Sequence, residues 1–420
     1  MNKRTFLLTF LLFIGLISAS GIGLQSAAMR IAVPVAAQTP AKTASSVRAT
    51  IPFELNNRHI MLKAKVNGKP LTFALDTGDQ VAIVDLDLAR RMNLALSGEV
   101  RVGGAGAGIS TGAMVQGASL TIDGLEGFSQ PVRMALPLGK VLSPRAGRDF
   151  EGIIGQEFIQ QFVVEIDYQA QVLRLHDKEK FVYNGPGESL PIRLVHGHPI
   201  LEAEVTPVGS SASLKGKFVL DTGAGLTLAL YSPFVSQNNL LGPDAKTIRS
   251  LGGAGAGGET TGRIGRVTEL KIGNYTIKNP VTLFSQDKAG AFASDQLAGN
   301  IGARVANKFR LFLDYDRKRI IFEPNSTFAA PYDHAQSGMS LVAEGGDYRV
   351  FRIRAVLENS PASEAGLQKD DIITSVNNQS AAEFTLSKLN ELFERPVPYK
   401  LTIRRGEQML QVTLTPRRLV

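Results

Sequence analysis

One short pattern is written twice in this chain. "LTFALDTGDQ" fills positions 71 to 80 and "GKFVLDTGAG" fills 216 to 225, so Asp221 follows Asp76 by 145 residues. Two more landmarks recur in the same order. "RVGGAGAG" from 101 returns as "SLGGAGAG" from 250, an offset of 149. "EGIIGQEFIQQFVVEIDYQAQVLRL" from 151 returns as "AGNIGARVANKFRLFLDYDRKRIIF" from 298, an offset of 147. Three landmarks at nearly constant offset mean a duplicated unit, and the period is far too long for a solenoid repeat. Each copy is therefore a domain-sized lobe. An ionised aspartate closing an apolar strand is costly to bury alone. Two of them, one per lobe, suggest a pair.

Within a lobe the text reads as strands. "HIMLKAKVNGKPLTFALDTG" alternates apolar and polar residues around Asn67-Gly68, a hairpin signal. "SLTIDGLEGFSQPVRMAL" and "FVVEIDYQAQVLRL" repeat the style. Helix is expected only in short pieces such as 86–92 and 157–161. With 42 glycines in the 420 residues, the expected class is mostly β, with two pseudo-symmetric barrel-like lobes at 50–178 and 188–324. A Pro-containing linker at 325–337 leads to a last module at 338–420.

The start, "MNKRTFLLTFLLFIGLISASGIG", has Lys3 and Arg4 before an apolar run and the small residues Ser18-Ala19-Ser20 after it. Residues 1–20 read as an export signal or an uncleaved membrane tether, and 21–49 as a spacer. Either form puts the bulk of the protein outside the cytoplasm, periplasmic or extracellular. The chain has no cysteine, hence no disulfide. The net charge of +8, from 46 basic and 38 acidic residues, is spread without a basic block, which argues against nucleic acid. No cofactor is implied. His196-Gly197-His198 reads as a loop rather than a metal site.

Two carboxyls brought close across a pseudo-two-fold axis share one proton. The ionised partner can take a proton from water and the protonated one can donate to a carbonyl, so an amide is hydrolysed without metal or covalent intermediate. Thr77 and Thr222 are expected to bond to the opposite lobe's backbone. Gly78 and Gly223 let backbone approach the carboxyls. Gly103, Gly104 and Gly106, and Gly252, Gly253 and Gly255, fall where mobile covering flaps would lie. A phosphate-cradling reading fails, since neither stretch has the Lys-Ser/Thr ending or a following helix.

The last module contains "ENSPASEAGLQKDDIITSVNN". A turn and short helix open at Ser360-Pro361-Ala362, a strand runs 372–376, and Asn377-Asn378 makes a hairpin turn. Leu386, Leu389 and Leu392 are spaced as on one helix face. Two closing strands flank Gly406-Glu407.

Asp-Thr-Gly, a Gly-rich flap and an apolar-apolar-Gly turn ("GIIG" at 152, "GNIG" at 299) together resemble retropepsin-like aspartic proteases, and the last module resembles a PDZ domain. Over about residues 50 to 420 the chain is similar to exported bacterial aspartyl-protease/PDZ proteins. The resemblance implies a peptide-cleaving cleft with Asp76 and Asp221 as its dyad. It also implies a PDZ module that takes an extended peptide at a sheet edge beside a helix. The loop Gly345-Gly346-Asp347-Tyr348 and the strand from Phe351 through Ile353 to Arg354 are the candidates for that edge. Two residues depart from the protease pattern. Asp79 stands where the family favours a small residue; a third carboxylate beside the dyad would raise the cost of ionising it, but the turn position predicts that Asp79 faces solvent instead. Asn300 replaces the first apolar residue of the second turn. In the module, Asp370 stands where the family has Gly. The chain thus reads as an exported aspartic endopeptidase acting on a peptide or protein. The alternative is a peptide-binding scaffold that uses the same groove and PDZ module without hydrolysis, which Asp79 favours.

Overall fold

A computed structural model describes residues 8–10, 46–243, 245–250, 253–332 and 336–420. The expected leader apart from Leu8–Phe10, and most of the spacer, lie outside these. Leu8–Phe10 form a short strand parallel to Val102–Gly104. The first strand of the shared sheet described below is Val47–Pro52, so the end of the expected spacer belongs to that sheet.

Each lobe is built on the same threaded plan. In the first, His59–Val66 and Lys69–Leu75 are antiparallel, with Ile60 opposite Leu75. Their turn, Asn67-Gly68, has φ of 48° and 80°, the left-handed pair that a two-residue hairpin needs. Gly152–Ile154 then threads between Lys69–Leu75, to which it is parallel, and Ile83–Asp85, to which it is antiparallel. In the second lobe His198–Thr206 pairs with Leu214–Asp221, and Gly299–Gly302 threads between that strand and Leu228–Leu230. The threading strand fixes where each aspartate emerges. Asp76 N donates to Ile154 O at 2.9 Å, and Asp221 sits opposite Gly302.

The lobes are not separate beads. A six-stranded sheet runs in the order Glu188–Pro191, Arg319–Pro324, Phe309–Asp314, Val163–Asp167, Val172–His176, Val47–Pro52. Its central pair takes one strand from each repeat, with Ile166 opposite Leu311. Glu165 ties this seam. It accepts from Arg174 Nη1 at 2.6 Å and from Arg310 Nε of the other lobe at 2.7 Å, and lies 2.9 Å from His176 Nε2. Burial alone would raise its carboxyl, but His176, Arg310 and Arg174 hold it down at about 2.

The C-terminal module is a sheet in the order Met339–Glu344, Val350–Val356, Ile372–Val376, Tyr399–Arg405, Gln408–Leu414. Ser360 caps the short helix Pro361–Glu364. Asp370 adopts φ of 71°, the left-handed position in which the resembling family uses Gly. Asn377 and Asn378, at 50° and 66°, form the expected turn. Thr385 caps the helix Leu386–Leu392, whose Leu386 and Leu389 are buried.

The longest helix among the described residues was not expected. Leu138–Ala146 in the first lobe packs against both Met339–Glu344 and Leu386–Leu392 of the module. Around it Tyr348 OH donates to Asp149 Oδ1 at 2.7 Å, and Arg354 Nη1 lies 2.8 Å from Glu259 Oε1 of the second lobe. No helix among the described residues is long and apolar enough to cross a membrane.

Candidate active site

Asp76 and Asp221 meet. Both have zero exposure, and a Cβ built on Gly78 would lie 3.0 Å from Oδ1 of each carboxyl. Gly78 N donates to Asp76 Oδ1 at 2.6 Å, and Ala224 N to Asp221 Oδ1 at 2.9 Å. Burial raises both carboxyls above the ordinary carboxylate range, and two like charges cannot both be held in so dry a site. A dry pair of this kind holds a proton at neutral pH.

The threonines lock the pair reciprocally. Thr77 Oγ1 donates to Leu220 O at 2.6 Å and accepts from Thr222 N at 2.9 Å. Thr222 Oγ1 donates to Leu75 O at 3.3 Å and accepts from Thr77 N at 3.1 Å. The glycines are also crossed between lobes. A Cβ on Gly78 would lie 3.0 Å from Asp221 Oδ1, and one on Gly223 would lie 1.9 Å from Asp76 Oδ2. Glycine is required at 223 because the opposite carboxyl occupies the space of a side chain.

Two hairpins cover the pair. The first runs through Ala95–Gly104 and Ser110–Gln116 and carries Gly103, Gly104 and Gly106 at its end. The second pairs Ala254–Gly255 with Gly258–Glu259; Gly253 and Gly255 lie in it, while Gly252 is outside the described residues. The tips are joined. Gly108 N donates to Gly257 O at 2.6 Å, Gly257 N to Ala105 O at 2.9 Å, and Ser110 Oγ to Ala256 O at 2.7 Å. Ala105 is buried among second-lobe residues that include Val219, Leu283 and Phe292. Ala256 packs among first-lobe residues that include Leu136, Leu138 and Leu142. Each tip thus fills apolar space in the opposite lobe, and the cleft is shut.

Three positions differ from expectation. Asp79 does not face solvent. It is 1% exposed, both carboxyl oxygens lack a hydrogen-bond partner, and burial with the charges of Asp76 and Asp221 raises its pKa. The turn is folded back because Asp79 N donates to Asp76 O, and Gln156 N donates to Asp79 O at 2.8 Å. The strand carrying Phe351 and Ile353 is not an edge. It lies between two neighbours, and both side chains are fully buried in the module's core. The edge beside the helix is Met339–Glu344, and Leu138–Ala146 covers it. Gly345 and Gly346 are exposed next to this edge, while Tyr348 is tied to Asp149.

The sequence reading had no role for Tyr231 and His59. Tyr231 OH donates to Asn300 Oδ1 at 2.5 Å, and Asn300 Nδ2 donates to Asp221 Oδ2 at 2.8 Å. His59 Nε2 lies 2.9 Å from Gly223 O, and burial lowers its pKa, so the ring is neutral at neutral pH. The available signal was Asn300 itself, a polar residue in an otherwise apolar turn.

Residues 62–158 match the family model described as aspartyl protease, and residues 352–405 match the model described as PDZ domain. The chain carries an aspartyl protease domain and a PDZ domain. The protease match falls within the first lobe, and the second lobe repeats its plan. No curated protein matches the chain. Among solved structures, the crystal structure of the HtrA3 PDZ domain bound to a phage-derived ligand (FGRWV) is similar at 24% identity. That match covers 20% of this chain and 85% of that one, with a TM-score of 0.18. The photosystem II D1 C-terminal processing protease is similar at 17% identity, over 21% of this chain and 24% of that one, with a TM-score of 0.19. The present chain thus spans about a quarter of the latter's length.

Proposed function

We propose that this protein is an aspartic endopeptidase. The observation that carries the reading is the reciprocal threonine lock holding Asp76 and Asp221 in one buried pair. With one carboxyl ionised and the other protonated, a water between them attacks a peptide carbonyl. The new O–C bond forms as one proton leaves the water and another reaches the carbonyl oxygen. The C–N bond then breaks as the amine is protonated, giving a carboxylic acid and an amine. The flap tips must part before an extended chain can reach the pair, so opening precedes each turnover.

The PDZ domain binds a peptide at the Met339–Glu344 edge, which requires the helix Leu138–Ala146 to move aside. The enzyme works outside the cytoplasm, periplasmic or extracellular, on the strength of the leader-like start. N-terminal sequencing of the exported protein distinguishes a cleaved leader from a tether.

The buried third acid, Asp79, favours a second reading, a peptide-binding scaffold that does not hydrolyse. Peptide-library cleavage from acidic to neutral pH separates the two. Cleavage by the wild type, lost in Asp76→Asn and in Asp221→Asn, is the expected result. Equal cleavage by all three excludes the dyad. No cleavage by any, with activity absent also in Asp79→Ala, favours the scaffold.

A further inference from the structure

The two aspartates come from one plan but do not have equivalent surroundings. Asp221 accepts from protein groups on both oxygens, Ala224 N at 2.9 Å on Oδ1 and the Asn300 amide at 2.8 Å on Oδ2. Asn300 is itself held. It is fully buried, its Oδ1 accepts from Tyr231 OH, and Tyr231 stacks on Phe292 with centroids 5.1 Å apart.

In the first lobe the position matching Asn300 is Ile153, which can donate nothing. Tyr231 caps the helix Ser232–Gln237, and the cap of the matching helix Leu86–Arg91 is Asp85. Asp85 uses its carboxylate locally, accepting from Leu88 N at 2.9 Å and Gly139 N at 2.8 Å. Asp76 Oδ2 accordingly has no protein donor. A fixed amide aimed at a carboxylate in a dry site stabilises the ionised form, and charge-assisted bonds of this kind are the strong ones.

We propose that Asn300, anchored by Tyr231, is a positioning residue that fixes Asp221 as the ionised member of the pair and leaves the shared proton on Asp76. The proposal rests on the peptidase reading for its consequence. Asp221 takes the proton from water, and Asp76 gives its own to the substrate carbonyl oxygen. Asp221 then protonates the departing amine while Asp76 recovers a proton from the tetrahedral diol, so the pair ends as it began.

The titratable groups around Asp221 are Asp76, Asp79 and Tyr231; Tyr315 faces Asp76, and neutral His59 reaches the Gly223 carbonyl. Asp79 stands nearest in effect to Asp76.

The test reads ionisation without substrate. Aspartate carboxyl carbons are labelled with 13C and followed by NMR against pH, with Asp76→Asn and Asp221→Asn identifying the two resonances. The expected result is an ionised Asp221 and a protonated Asp76 at about pH 6. In Asn300→Ile, which carries the first lobe's residue, the separation between the two titrations narrows by about one pH unit. Tyr231→Phe narrows it less. The double variant Asn300→Ile with Tyr231→Phe leaves no orphaned hydroxyl and keeps the comparison available if the single variant is unstable. Where cleavage is measured, the acid limb of the kcat profile moves up by about one pH unit in Asn300→Ile with KM unchanged. An Asp76 that ionises first, or a titration untouched by removing the amide, overturns the proposal. Loss of the peptidase reading with the NMR asymmetry intact leaves the assignment standing, so the two failures are distinguishable.

Discussion

The first and second lobes share a strand plan, a threading turn and an Asp-Thr-Gly, yet they treat their acids in opposite ways. The second lobe surrounds Asp221 with donors, Ala224 N and the Asn300 amide. The first lobe leaves Asp76 Oδ2 without a protein donor and buries an additional acid, Asp79, with no hydrogen-bond partner. Duplication supplies the geometry of a pair, and divergence at a few positions supplies its asymmetry. Symmetry brings two carboxyls together; only a departure from symmetry can tell them apart chemically.

The largest break in the comparison lies in the crossed glycines. Gly223→Ala drives a methyl into the Asp76 carboxyl, where 1.9 Å is available, whereas Gly78→Ala meets Asp221 at 3.0 Å. Cleavage should fall by more than about 100-fold in Gly223→Ala, and by about 10-fold in Gly78→Ala, because small displacements of reacting groups are amplified in rate. Steady-state kinetics on one peptide checks both, and equal losses would mean that the lobes meet the dyad in the same way.

A middle-sized effect sharpens the comparison at Asp79. Asp79→Ala gives the first lobe the residue that the second has at 224, and removes a buried acid without partners. We expect it to stabilise the protein by about 1–3 kcal/mol at neutral pH. Burial and the neighbouring aspartates raise the folded-state pKa of Asp79. Its penalty is therefore absent below about pH 4, where the acid is protonated in both states, and appears as pH rises above that. Urea denaturation at about pH 4 and at about pH 7 should show the larger gain at the higher pH.

The smallest effect separates the threonines. Thr77 makes its two bonds at 2.6 and 2.9 Å, and Thr222 makes its two at 3.1 and 3.3 Å. Thr77→Val should cost about 1 kcal/mol more than Thr222→Val, as the shorter bonds of a buried hydroxyl are lost. Chemical denaturation of the two variants measures the difference, and equal costs would restore the symmetry that the distances deny.

Local chemistry made much of this legible in the sequence. Asn67-Gly68 and Asn377-Asn378 announce hairpins because few residues adopt φ above zero at low cost. Asp-Thr-Gly ending an apolar strand, written twice, announces the pair. What was not legible depends on neighbours distant along the chain. Pro137, Gly139 and Pro144 punctuate the stretch that folds as Leu138–Ala146, and tertiary packing against the PDZ sheet and helix overrides that local signal. Strand order is not written locally either. Phe351 and Ile353 alternate as an edge strand would, but Met339–Glu344 lies outside them. The solvent-facing reading of Asp79 failed for the same reason. A turn residue is exposed by default, and only the returning segment at Gly155 and Gln156 buries this one. Asn300 was visible as an oddity in its turn, while its partners, Asp221 and Tyr231, appear only when the second lobe is folded.

The claim on which everything else depends is that Asp76 and Asp221 hold one proton between them. It is tested most directly by counting bound protons, by potentiometric titration in an Asp79→Ala background that removes the third acid. The pair intact is compared with the same protein also carrying Asp76→Asn and Asp221→Asn. The account predicts that at about pH 6, where ordinary carboxyls are ionised, the intact pair retains one proton that the substituted protein lacks. Two titration curves that coincide between about pH 5 and pH 7 would contradict it.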